Sequence, residues 1–411
     1  MHSHLLRAVA LTAALLPALA QAASPLTLEQ ALDLAVQRSE AARSARAGAV
    51  SAAESAHAAG QLPDPTLQAG IDNLPVTGAG AFKTASDSMT MKRIGISQEW
   101  LSSQKRAARQ AAAQAIAARD DAQVQAALAD ARLRTALAYV DAFYAKEALK
   151  LTALMAHHAH EELEAAKARV SSAAGSSQDV LALASARGIA EDDSDEVRQQ
   201  QSEAVVALQR WVGIPVDELA TPVVSPPSTE AEFLSHLPSL IAMRRDVDVA
   251  RQAAAETASE RTPNWTWQVS YGQRTGYADM VSVGVSIPLQ VAPAQRQDRA
   301  TASKLALVEK AEADLAEATR AASAEYEALL GDAQRLQQRI ARYRTGVVVP
   351  AQQRIDAAAA GYASNQASLV ALFEARHMEV DAERKLLALQ RDLFKAQVQL
   401  AFKPLMNGGD Q

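Results

Sequence analysis

The chain contains the same pattern twice. Arg93-Ile-Gly-Ile-Ser-Gln-Glu-Trp100 returns as Ser282-Val-Gly-Val-Ser-Ile-Pro-Leu289, 189 residues later, with Gly95 matching Gly284 and Ser97 matching Ser286. The same offset carries Ala168 to Ala357, Ala182-Leu183 to Ala371-Leu372 and Ala186-Arg187 to Ala375-Arg376. Upstream, Pro63-Asp-Pro-Thr-Leu-Gln68 faces Pro263-Asn-Trp-Thr-Trp-Gln268, an offset of 200 that places an insertion between the strands of the first copy. Internal repetition of this period means two structural units of one design that must bury their apolar faces against each other.

Each copy reads in one order. A helix comes first, expected over Leu28 to about Ala59 and Leu237 to about Arg261, with Thr27 or Ser24 as the first N-cap. Strands follow. In copy two, Trp265, Trp267, Val269 and Tyr271 alternate with polar or small residues, as do Val281, Val283, Val285 and Ile287 after a turn at Gly276. In copy one, Leu67, Ala69 and Ile71 alternate likewise, and a second strand is expected over Thr90 to Trp100. Period-two alternation marks strands with one apolar and one polar face.

Long helices come next. Residues 102–170 hold neither proline nor glycine, and Leu133, Leu137, Val140, Tyr144, Leu151 and Met155 recur at helical spacings. The second copy carries Leu329, Ala333, Leu336, Ile340, Tyr343 and Val347 at alternating steps of four and three, a coiled-coil seam. At ~1.5 Å per residue such helices approach 100 Å. Polar breaks at Ser171–Ser177 and Gly361–Asn365 reverse the chain into returning helices over Gln178–Val212 and Ala367–Phe402. Gly213-Ile-Pro215 ends the first, and Val216–Pro238, with four prolines, is expected to be an irregular connector.

The N-terminus has the pattern of a secretory signal: Arg7, an apolar Ala8–Leu19 and a small-x-small Ala20-Gln21-Ala22, with a mature start expected near Ala23. The apolar run is shorter than the ~20 residues of a spanning helix. The domain division is therefore 1–22 signal, 23–213 first repeat, 214–236 connector and 237–411 second repeat. Net charge is −6, or −7 without Arg7, a poor footprint for nucleic acid. There is no cysteine, hence no disulfide, no thiolate metal site and no lipidated Cys. No Gly-x-Ser-x-Gly, His-Glu-x-x-His or phosphate-loop motif occurs, so no enzyme and no cofactor are expected.

Four two-faced strands in an exported chain suggest a transmembrane barrel, with Trp100, Trp265, Trp267, Tyr271 and Tyr277 as its aromatic girdle. Open edges are not tolerated in lipid, and four strands are too few to close a barrel, so copies must share one. Two copies give a narrow eight-stranded barrel and three give twelve strands with room for a lumen, which favours a homotrimer.

Leu62-Pro-Asp-Pro65, Asp72-Asn-Leu-Pro75, Met89-Thr-Met-Lys-Arg-Ile-Gly95 and Gln98-Glu-Trp-Leu-Ser-Ser-Gln-Lys-Arg106, in this repeated order of elements, resemble the TolC family of outer-membrane efflux proteins, in its heavy-metal cation (CzcC-like) branch. The resemblance implies a mainly α fold with β, made of two tandem repeats. Each repeat is a helix, a strand pair and a long coiled-coil hairpin. It further implies a trimeric twelve-stranded outer-membrane barrel continued by a periplasmic helical tunnel, which docks on a periplasmic adaptor (membrane fusion) protein coupled to an inner-membrane pump. It places a gate at the periplasmic tips, where Tyr362 and Glu374 match the family's tyrosine and one ring carboxylate and Asp179 lies on the other tip. Where relatives carry a second ring carboxylate, this chain has Ala371. One further cluster, His157, His158, His160, Glu161 and Glu164, has the spacing of a metal site, with His157, His160 and Glu161 as candidate ligands on a shared helix face. The bland reading of that cluster is a solvated helix surface. The rival reading of the whole chain is a periplasmic coiled-coil adaptor or scaffold; an adaptor would carry one hairpin between glycine-rich β-domains, whereas this chain carries two in tandem.

Overall fold

A computed structural model describes residues 25–173, 175–224 and 229–404. The expected signal, Ser24 and the last residues lie outside them. The first helical stretch breaks in two, α1 (Leu28–Arg38) and α2 (Glu40–Ala59), because Ser39 adopts an extended backbone and caps the second helix through its Oγ, which accepts from Ala42 N at 3.2 Å. Thr27 caps α1 in a reciprocal box with Gln30. Then come β1 (Thr66–Asp72), β2 (Met91–Trp100), the uninterrupted 69-residue α3 (Ser103–Ser171) and α4 (Ser177–Val212), closed by Gly213 at φ 69°.

The connector is not wholly irregular. Thr229 and Glu232 form a second capping box that starts α5 (Glu230–His236), whose Phe233 is fully buried. The expected helix from Leu237 begins with Pro238 in its first turn and runs as α6 (Pro238–Ser259). β3 (Trp265–Gln273), β4 (Met280–Ser286), a 3-10 turn (Pro293–Gln295) and α7 (Gln297–Tyr343) follow. A π-turn over Arg344–Val348 joins α7 to α8 (Val349–Ala363), and α9 (Leu369–Phe402) returns.

The π-turn corrects the expected seam. Val347, the next position at a step of four, is 40% exposed, whereas Val348 is 4% exposed and packs with Leu386 and Ala382. A π-turn absorbs one extra residue, so the seam passes Tyr343 with a step of five and resumes as Val348, Ala351, Ile355, Ala358 and Tyr362. Pro350, which has no N–H for Gly346 to accept, sits just beyond it.

Besides the Val348 cluster, three buried cores hold the helices together. At the middle, Leu28, Tyr139, Leu208, Val212 and Val398 pack together. The Tyr139 hydroxyl lies 2.6 Å from the Leu26 carbonyl and 2.7 Å from that of Ala220, the pair of segments that also form a parallel bridge. Burial pushes this phenol up to about 12. Beside it, Phe233, Leu240, Tyr326 and Leu400 make the second-copy counterpart. At the tip, Met155, Leu163, Leu183, Leu369 and Phe373 join the two hairpins. No helix among the described residues is long and apolar enough to cross a membrane.

Candidate functional site: a two-faced sheet and the hairpin tips

The four strands form one antiparallel sheet in the order β1-β2-β3-β4. Its register puts Leu67 opposite Ile96, Ile96 opposite Val269 and Val269 opposite Val283; one step along, Ile94 faces Tyr271, and Tyr271 faces Val281. That face carries Leu67, Ala69, Ile71, Ile94, Ile96, Val269, Tyr271, Val281, Val283 and Val285, with Lys92 and Gln273 at its loop end and Gln98 between Trp267 and the β1 edge toward the helices. Its large members are exposed. The other face is Gln68, Gly70, Arg93, Gly95, Ser97, Gln268, Ser270, Ser282, Gly284 and Ser286, with Arg93 paired to Asp72 at 3.1 Å. Small residues suit this face: a Cβ on Gly95 would lie 2.6 Å from that of Ser270.

A face of valine and isoleucine left in water costs roughly 1.5–3 kcal/mol per large side chain relative to burial, so this face is built for an apolar surround. Aromatics mark both ends of it. Trp100 and Trp265 meet at 5.9 Å at the helix end, and Tyr271 and Tyr277 stand at the loop end. Among the described residues, the outer edges of β1 and β4 have no partner strand.

Where the sheet meets the helices, Lys105 at the start of α3 is 2% exposed. Its ammonium donates to Glu260 Oε2 at 2.8 Å, the Thr262 carbonyl at 2.9 Å and Asn264 Oδ1 at 2.8 Å. Asn264 in turn donates to Glu99 at 2.7 Å, and Arg109 reaches Glu260 at 3.2 Å. Burial would raise the Glu260 carboxyl, but the donors Lys105 and Arg109 outweigh it and hold it low. All three Lys105 protons are used, which locks the strand exit of copy one to the strand entry of copy two.

At the opposite end, Ser176 caps α4 through Gln178 N and Ser368 caps α9 through Ala371 N, each at 3.1 Å. Asp179 sits half-buried in the first turn of α4, Tyr362 half-buried in the last turn of α8, and Glu374 exposed on α9. Two contacts tie the hairpins together, and sequence reasoning missed both. The Arg169 guanidinium lies 5.5 Å from the Tyr362 ring centroid, and Arg376 Nη1 donates to Glu162 Oε1 at 2.5 Å. Arg376 was visible as the repeat-mate of Arg187, yet Arg187 binds its own helix at Glu191 while Arg376 crosses to copy one. Glu162 is buried, and among the described residues its Oε2 finds no hydrogen-bond partner. Burial raises its carboxyl, with Arg376 opposing and Glu161 adding to the rise.

Of the histidine cluster, the structure brings His157 Nε2 to 3.2 Å and His158 Nδ1 to 3.4 Å from the two oxygens of Glu161. His160 stands apart from that carboxylate, exposed and near Glu164. Among the described residues no group of three or more His, Cys, Asp or Glu side chains is arranged to hold a metal ion.

No protein-family profile and no curated protein sequence matches the chain. Solved structures do. The outer-membrane channel OprN superposes with a TM-score of 0.78 at 15% identity, covering 92% of this chain and 90% of its own. The outer-membrane protein VceC from Vibrio cholerae gives 0.75 at 19%, covering 92% and 96%. CusC, whose structures concern folding and transmembrane channel formation, gives 0.76 at 12%, covering 91% of each chain. Across nearly its whole described length, the chain has the TolC-type fold of these outer-membrane channels.

Proposed function

We propose that the chain is the outer-membrane component of a tripartite efflux system, a passive exit duct that performs no chemistry. The observation that carries this reading is the sheet: one face apolar and exposed, the other polar and small, both edges open, on helices on the order of 100 Å long. Three protomers joined edge to edge, β4 of one to β1 of the next, close a twelve-stranded barrel whose apolar face meets lipid and whose serine and glycine face lines the lumen. The four helical layers of each protomer then form a third of a periplasmic tunnel. Residues 1–22 direct export, and 23–213 and 237–411 act as the two repeats. The tips engage a periplasmic adaptor coupled to an inner-membrane pump, which supplies the energy.

Heavy-metal cations are the proposed cargo, on the resemblance of the first-copy motifs and on an acidic tip residue, Glu374, exposed where a constriction would form. Asp179, Tyr362 and Glu374 are the proposed gate positions. The likeness to CusC lies in the fold and leaves the cargo to experiment.

Reconstitution of the purified protein in a planar bilayer tests the duct. Stable conductance steps are expected, and replacement of Glu374 by Ala is expected to weaken block by divalent cations. Release of the mature protein by osmotic shock without detergent overturns the reading in favour of a soluble adaptor or scaffold. Unchanged tolerance of a deletion strain to copper, zinc, cobalt and cadmium removes the metal cargo alone.

A further inference from the structure

We propose that the segment Ile287–Val291, between β4 and α7 of the second copy, is a membrane-interface anchor that rests in the periplasmic leaflet of the lipid surrounding the barrel. The inference rests on the duct reading and extends it to a surface that the barrel itself does not include.

The outward face of β4 is carried by its odd-numbered residues, Val281, Val283 and Val285. The pairing with β3 ends at Thr266 and Ser286, and β3 itself begins at Trp265. The apolar alternation does not stop there. Ile287, Leu289 and Val291 continue it in the same phase and are 55%, 86% and 95% exposed. The even-numbered Gln290 is half-buried, and its Nε2 donates to the Glu260 carbonyl at 3.0 Å. That bond pins the segment to the Lys105 junction and keeps its odd-numbered residues on the outside.

The first copy has nothing comparable at this level. Trp100 is followed by Leu101, which is fully buried, and Ser102 caps α3 at once. The segment leaves the sheet beside the Trp100–Trp265 pair, the level at which aromatic residues straddle a membrane boundary. Beyond it stand Arg296 and Arg299, both exposed, and Arg261, exposed and 3.7 Å from Asp298, a net basic fringe suited to lipid phosphates. Apolar side chains in register with the lipid-facing strand, above a basic fringe, fit the boundary between acyl chains and headgroups better than either water or the hydrocarbon centre.

The natural chain has no cysteine, so single-cysteine labelling of the full-length protein is direct. Leu289→Cys and Val291→Cys carry an environment-sensitive NBD label in phosphatidylcholine–phosphatidylglycerol vesicles, with Val283→Cys as the reference on the sheet. The expected result is loss of emission with lipid spin-labelled near the carbonyl, less loss with lipid labelled near the chain end, and protection from aqueous iodide. Quenching of the Leu289 and Val291 labels by iodide alone overturns the anchor in favour of an aqueous loop. Protection from both quenchers overturns it in favour of burial against a second copy of the chain. Where the Val283 label is reached by lipid and the other two are not, only the anchor falls; where the Val283 label is not reached either, the duct reading fails and the anchor falls with it.

Discussion

α3 runs 69 residues without a break, whereas its counterpart in the second copy is assembled from α7, the π-turn and α8. The two arrive at similar lengths by different routes. A seam repeating strictly every seven residues drifts about 20° per turn pair around a straight α-helix, and a helix must supercoil or reset to keep it facing its partner. The second copy resets, at a π-turn next to Pro350. The copies differ again at the sheet: β2 enters α3 through a single capping serine, while β4 enters α7 through an exposed apolar segment and a 3-10 turn. One repeated plan therefore fixes lengths and order, and the departures from it mark where each copy has its own task.

The largest test of that comparison is at the joint between copies. Lys105→Met leaves the Thr262 carbonyl and Asn264 Oδ1 without their buried donor and the half-exposed Glu260 with Arg109 alone, and a loss of about 2–3 kcal/mol is expected in denaturant unfolding of the detergent-extracted protein. The position that corresponds to Lys105 by the repeat is Ala294, in the 3-10 turn; Ala294→Ser should change stability by less than ~0.5 kcal/mol, and equal losses would show that the joint is not specific to copy one.

Next comes the seam. Val348→Ala should cost about 2 kcal/mol and Val347→Ala less than ~0.5 kcal/mol, measured the same way. The reverse order would mean that the helix is regular and that the π-turn does not exist in solution. Smaller still are the caps: Ser176→Ala and Ser368→Ala should each remove about 1 kcal/mol locally, read as faster amide exchange in the first turns of α4 and α9. Exchange that accelerates throughout α3 instead would show the tips to be one cooperative unit.

The smallest effect concerns Glu162. Its carboxyl sits above the ordinary value of 4.5, through burial that the Arg376 pairing only partly offsets. The folded state thus binds a proton more readily than the unfolded chain, and this group favours folding more as pH falls through its raised value towards 4.5. Stability of the natural protein relative to Glu162→Gln should therefore rise on acidification over that window. A relative fall would show that the ion pair with Arg376 dominates and that the two hairpins are held by charge rather than by packing.

Much of this fold is legible in the residues because its signals are local and periodic. The alternation around Val283 and Val269 defines strands, and the register merely aligns faces that the pattern already separates. The proline-free run from 102 places α3 to within a residue at each end. Other features required three dimensions. Lys105 meets partners more than 150 residues away, and Glu162 finds Arg376 across 214. The π-turn is a competition between seam phase and Pro350, which residue spacing resolves in favour of the plain helix. α5 is different: Thr229 and Glu232 spell a capping box in the sequence, and the surrounding prolines masked it. At the tips, Tyr362 stands out by its match to the resembled family, whereas Arg169, which lies over its ring, carries no pattern of its own.

The open edges of the sheet also have a genetic consequence. In the ring of three proposed above, each protomer supplies both a β1 and a β4 edge, so one defective edge interrupts the whole circle. If defective and intact chains are made in equal amounts and mix freely, only about one trimer in eight is wholly intact. A proline placed at Val283 in β4 should then behave as a dominant-negative allele, suppressing efflux in a cell that still carries a normal copy of the gene.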